Sequence, residues 1–243
     1  MGEMLKIDNV YLFEGKITKF MDKSLDITNK ITSFNGLLQE DKNHRYLSWE
    51  HCYSYFKEDQ IDVDKACLHM AFYLASWGMY RGSSFLLWKD YLVHKEVVEH
   101  LIKKKYLQNI DFMNIKDETI HEIVHLCFWI RNWYTANAGK INGTDRTVNV
   151  SDTLVTKIVL GALGCIPAYD RYFIVGLGAH NINPHKPSFT GIKKLVSFYV
   201  ENETEFGALS SKINTTSKIS YPPMKLIDMY FWQIGFDKDQ ERS

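Results

Sequence analysis

The first 160 residues contain no proline, and four of the five prolines in the chain lie after residue 180. Proline stops helices because it lacks a backbone donor and its ring clashes with the preceding turn. So long a stretch without one favours long helices. Apolar spacing supports this over most of the chain. Leu12 to Leu38 reads as one or two helices interrupted near Asp22–Ser24. Ser48 is a suitable cap for a helix over Trp49–Phe56, and Asp62 or Asp64 starts another through Leu68, Phe72 and Ala75, ended or bent at Gly78. A further helix is predicted from Ser83 or Ser84 through Phe85, Tyr91, Val97 and Leu101 to Lys103–Lys105, where cations suit the helix dipole. Others run from Asp117 to Trp133, over Thr153–Ala162 behind Ser151 or Asp152, from Pro167, over Thr190–Glu205, and from Pro222-Pro223 to Ile234. The segments between Ala138 and Asp152 and between His180 and Ser188 read as loops. No convincing strand alternation and no repeat appears. The expected fold is all-α, one domain over 1–243, with 1–145 and 146–243 as candidate lobes around a cleft.

Composition sets the class. In 243 residues, 29 Lys+Arg balance 29 Asp+Glu, 45% are apolar and 24% charged. This excludes a disordered tail, a collagen-like fibre and a strongly basic nucleic-acid coat, while leaving room for a local basic groove. Aromatic residues reach 14%. Cys52, Cys67, Cys127 and Cys165 form no C-x-x-C pair and sit among apolar neighbours, as free thiols in a reducing compartment do. The first residues carry acidic side chains, unlike a signal peptide, and the uncharged run Ala66–Tyr80 is too short and too polar to span a bilayer. A cytoplasmic protein without a membrane partner is expected.

Three segments carry residues suited to chemistry. His121-Glu122-Ile123-Val124-His125 would place two imidazoles on one helix face, with Glu122 as general base on a zinc-bound water. No third ligand follows at a usual spacing. The preferred reading is a helix with Ile120, Ile123, Val124, Cys127 and Phe128 facing the core and no metal, a zinc hydrolase being the alternative. In Ser76-Trp77-Gly78-Met79-Tyr80-Arg81-Gly82-Ser83-Ser84, Trp77 and Tyr80 could stack a base or sugar, and Arg81, Ser83 and Ser84 could hold an anion. Farther on, Lys157 lies inside an apolar helix and Asp170 follows the turn at Pro167, flanked by Tyr169, Arg171 and Tyr172. A half-buried amine beside a carboxylate is a candidate nucleophile pair.

The run from Thr156 to Asp170, T-K-I-V-L-G-A-L-G-C-I-P-A-Y-D, resembles the end of the signature of the helix-hairpin-helix DNA glycosylase superfamily, over about 20 of the 243 residues. The resemblance implies a helical fold with a cleft between two lobes. It implies that Asp170 stabilises the sugar cation as a base leaves, that Lys157 attacks C1′ to form a Schiff base, and that DNA with a flipped nucleotide is the partner, with no cofactor. Two features differ from the family: the lysine–aspartate interval of 13 residues is shorter, and the Leu-Pro-Gly-x-Gly hairpin is absent. An unusual substrate follows, a bulky modified base such as phage DNA carries, in defence or repair. Lys103–Lys105, His180, Asn181, His185 and Lys186 would add phosphate contacts. A non-catalytic helical binding protein is the remaining alternative.

Overall fold

A computed structural model describes residues 5–7, 10–13, 16–19, 26–183, 185–214 and 219–241. The fold is all-α apart from short antiparallel strands. β1 (Leu5–Ile7), β2 (Val10–Phe13) and β3 (Lys16–Lys19) pair in that order, so the helix expected from Leu12 begins only at Ile27. Val-Tyr-Leu-Phe and Lys-Ile-Thr-Lys are rich in β-branched and aromatic residues that suit a pleated surface, and that preference outweighs the loose helical spacing. The expected interruption at Asp22–Ser24 lies outside the described residues, as does Pro184 in the later loop.

Ten α-helices are described: α1 (Ile27–Glu40), α2 (Leu47–Lys57), α3 (Val63–Ser76), α4 (Lys95–Lys103), α5 (Asp117–Asn137), α6 (Asp152–Leu163), α7 (Arg171–Ala179), α8 (Phe189–Glu201), α9 (Glu203–Asn214) and α10 (Pro223–Gln240). None is long and apolar enough to cross a membrane. α6 is buried on every side from Leu154 to Leu163, surrounded by α2, α3, α4 and α5. α10 is likewise buried from Met224 to Gly235, against α1, α7, α8 and α9. A helix buried all round sits at the centre of its neighbours, so each of these two is the axis of one group of helices. The closest crossing is α7 on α10, where a Cβ at Gly176 would meet the Phe231 carbonyl oxygen at 2.0 Å and one at Gly235 would meet that of Tyr172 at 1.9 Å. Only glycine permits this backbone approach.

Several expectations need correction. Ser48 lies inside α2, whose first residue is Leu47. The inner face of α3 is Ala66, Cys67, Met70, Tyr73 and Leu74, leaving Leu68 and Phe72 exposed. On α5, Phe128 also faces out, at 62% exposure, while Ile120, Ile123 and Cys127 are buried. The helix expected from Ser83 to Lys105 is two short 3-10 turns, Phe85–Trp88 and Tyr91–His94, before α4, because Ser84 and Asp90 side chains accept from Leu86 N and Leu92 N and restart the backbone. Pro167 starts no helix; the chain stays irregular until Asp170 caps α7. At Asn202 the expected Thr190–Glu205 helix divides into α8 and α9. Within the glycine-rich loop, Asn142 and Gly143 both take positive φ (49° and 77°) and join β4 (Lys140–Ile141) to β5 (Thr144–Asp145) in a tight hairpin.

Candidate active-site cleft

The candidate site lies where the two groups of helices meet. From the first come Lys157 and Thr153 on α6, Trp77, Met79 and Arg81 at the end of α3, and Arg45 just before α2. From the second come Asp170, Arg171 and Tyr172 at the start of α7, and Trp232 on α10. Together they line a cavity of about 650 Å³.

Lys157 is placed by the burial of α6, and its side chain is 3% exposed. The chain then leaves α6 at Gly164, in the left-handed conformation (φ 63°), and doubles back along the same helix. Three side chains hold the returning segment. Asp228 accepts from Ala168 N at 2.9 Å, Thr156 Oγ1 accepts from Tyr169 N at 2.9 Å, and Thr153 Oγ1 donates to the Tyr169 carbonyl at 2.8 Å. This brings Asp170 Oδ2 to 3.0 Å from Lys157 Nζ, while Oδ1 accepts from Phe173 N at 3.1 Å as the cap of α7. A carboxylate at a helix N-terminus is favoured by both the free amide and the dipole.

Trp77 forms the opposite wall. α3 ends with Gly78 N donating to the Ala75 carbonyl and Met79 N to that of Leu74, a paired arrangement that needs Gly78 at φ 74°. The indole is thereby turned so that Lys157 Nζ sits 4.5 Å from its ring centroid. Trp77 stacks on Tyr46 (4.7 Å, 16°) and meets Trp232 edge-on (6.0 Å, 88°). Arg45 lies 5.4 Å from the indole and donates to the Ser76 carbonyl at 3.0 Å. Behind this wall a second buried pair, Lys225 and Asp228 at 2.9 Å, faces Trp49, Phe34 and Trp77. The Lys157 amine is therefore bounded by a carboxylate on one side and an aromatic face on the other.

Of the residues singled out in the sequence, Asp170, Lys157, Trp77, Arg81, Arg171 and Tyr172 line this cleft. Tyr80 does not: its hydroxyl is 2.8 Å from His94 Nε2. Ser84 caps a 3-10 turn, Ser83 is exposed beside it, and Tyr169 is buried against Phe173. Lys104 binds Glu122 and Lys105 binds the Lys57 and Glu58 carbonyls, away from the cleft lining. His180 pairs with Tyr230, while Asn181, His185 and Lys186 are exposed. Met79, from the Trp77 turn, and Thr153, at the start of α6, also line it, and Arg45 and Trp232 do so without a local signal: nothing in their spacing distinguishes them from any surface arginine or core tryptophan.

The helix with His121 and His125 borders a larger groove of about 900 Å³ between α4 and α5. His121 stacks on Phe189, its ring centroid 6.4 Å from that of His125, and Glu122 is taken up by Lys104 and Tyr106. Among the described residues no group of three or more His, Cys, Asp or Glu is placed to hold a metal ion. No family model matches the chain, and neither does any curated protein or solved structure.

Proposed function

We propose that the cleft cleaves an N-glycosidic bond in DNA, making the protein a DNA glycosylase-like hydrolase. One observation carries this reading: the Lys157 amine and the Asp170 carboxylate, 3.0 Å apart, face a cavity walled by Trp77. As a C1′–N bond breaks, its electron pair leaves with the base and positive charge grows on the sugar. A carboxylate held by Phe173 N and Lys157 is oriented before the reaction, the condition under which a fixed charge stabilises a transition state most. Trp77 and Tyr172, both half-buried, bring aromatic edges to the cavity beside which an everted base can lie. In the covalent variant the Lys157 ammonium gives one proton to the departing base. The resulting amine adds to C1′, and Asp170 takes a proton from the new ammonium and returns it to O4′ as the C1′–O4′ bond breaks, leaving a protonated imine.

Buried, unpaired thiols at all four cysteines suit a reducing compartment such as the cytoplasm. Repair of a lesion and removal of a modified base from phage DNA differ only in which base is freed, so mass spectrometry of bases released from normal and modified DNAs reads both. Asp170→Asn should lower release by at least about a hundredfold while keeping the α7 cap, since asparagine caps as well as aspartate; an unchanged urea midpoint would separate chemistry from folding. Borohydride should trap a protein–DNA adduct that is lost in Lys157→Gln. Base release untouched by Asp170→Asn would end the proposal, and no released base from any DNA would favour a non-catalytic binding protein.

A further inference from the structure

Four cationic side chains line the cleft against one carboxylate: Arg45, Arg81, Lys157 and Arg171 against Asp170. Lys157 is satisfied by Asp170, and Arg171 by Asp239 at 2.8 Å. Arg45 and Arg81 differ. Neither has a carboxylate within ion-pair distance among the described residues. Both line the cavity and are exposed to solvent. Arg45 is fixed by its bond to the Ser76 carbonyl and by the faces of Tyr46 and Trp77, at 5.3 and 5.4 Å. The side chain of Arg81 folds across Gly78, where a Cβ would stand 3.0 Å from the guanidinium carbon. Two exposed guanidiniums with no carboxylate partner among the described residues, on loops facing the amine–carboxylate pair, are available to an anion that the protein itself does not provide.

We infer that Arg45 and Arg81 are a phosphate clamp, and that the cleft accepts a phosphorylated nucleoside unit whose phosphate they hold while its sugar faces Lys157 and Asp170. This rests on the glycosidic reading for the orientation of the sugar, but not for the anion. The chemistry follows from geometry. A planar guanidinium donates in pairs to phosphate oxygens, and the aromatic walls accept a base. A cavity of about 650 Å³ takes one such unit and excludes a duplex, so DNA must offer its nucleotide everted. With no net charge on the whole chain, this clamp replaces the broad basic surface that DNA-binding proteins usually present.

The test is tryptophan fluorescence, since Trp77 and Trp232 line the cleft. The probes are thymidine, thymidine 5′-monophosphate, a thymidine octamer, and the same octamer with neutral methylphosphonate linkages. The octamer should bind at least about tenfold tighter than thymidine or the neutral octamer. Arg45→Gln and Arg81→Gln should each weaken octamer binding about tenfold and reduce its logarithmic salt slope by about 0.7, with binding of the neutral octamer unchanged. Lys65→Gln, on the exposed side of α3, should do neither. Monophosphate bound as tightly as the octamer supports the clamp and assigns it to free nucleotides. Equal affinity for charged and neutral octamers, arginine variants that match the unaltered protein, or no binding of any probe would each overturn it. Phosphate-dependent binding without base release leaves the clamp standing and removes the glycosidic reading. Base release with unaltered kinetics in both arginine variants does the reverse.

Discussion

His94 is fully buried, with Tyr80 and Tyr134 hydroxyls on its two ring nitrogens. A neutral imidazole donates at one nitrogen and accepts at the other, so one tyrosine hydroxyl accepts from the ring while the other donates to it. Burial lowers its pKa from 6.5 to about 3. The native state therefore refuses a proton that the unfolded chain takes up below pH about 6.5. Stability contributed by neutral His94 is complete above that pH and is lost as pH falls toward about 3, by about 1.4 kcal/mol per unit. Urea midpoints measured between pH 6 and 4 should fall less steeply in His94→Gln, by about one proton in the linkage slope, whatever the variant's stability at pH 7. Equal slopes would mean that His94 is protonated in the native protein. The same residue shows what a sequence conceals: Tyr80, read as a stacking residue beside Trp77, is turned inward because a buried histidine fourteen residues on needs its hydroxyl.

The crossing of α7 and α10 is the element on which the cleft depends, since α7 carries Asp170, Arg171 and Tyr172 and α10 carries Trp232. Its spacing is set by Gly176 and Gly235, each within contact of the opposite backbone. Gly176→Ala must push the helices apart and should lower stability by at least about 2 kcal/mol. Gly178→Ala, two residues later in the same helix with nothing within 4 Å of the added carbon, should instead raise it by about 0.5–1 kcal/mol. Thermal unfolding of the two variants tests the contrast, and a tolerated Gly176→Ala would show that the crossing is not close-packed. At this scale the sequence was legible where one helix decided its own form. Ser151 and Asp62 cap their helices as their positions suggest. Legibility failed where a side chain competed with the helix, at Ser84, Asp90 and Asn202, because periodicity reports burial and not the local hydrogen bonds that interrupt it.

Over the whole molecule, α6 and α10 are the two buried axes and the cleft opens between the groups built on them. Native-state hydrogen exchange should find the slowest amides in Leu154–Leu163 and Met224–Gly235, opening only with global unfolding, and much faster exchange in the exposed hairpin Lys140–Asp145. Fast exchange within α6 would contradict its central place. Sequence by itself determined the helical class, the central apolar helix with its buried lysine, and the pairing of Lys157 with Asp170 as the feature to examine. These follow from proline scarcity, apolar runs and a glycine–proline turn, all of them local. Tertiary structure alone decided that the Trp77 turn faces that pair, that Arg45 and Trp232 join it from 31 residues before Ser76 and from the last helix, and that Tyr80, Ser83, Ser84 and Tyr169 do not. The physical reason is distance along the chain. Which faces meet is fixed by close approach at a few glycines and by which buried polar groups find partners, and neither is written in the spacing of any one segment.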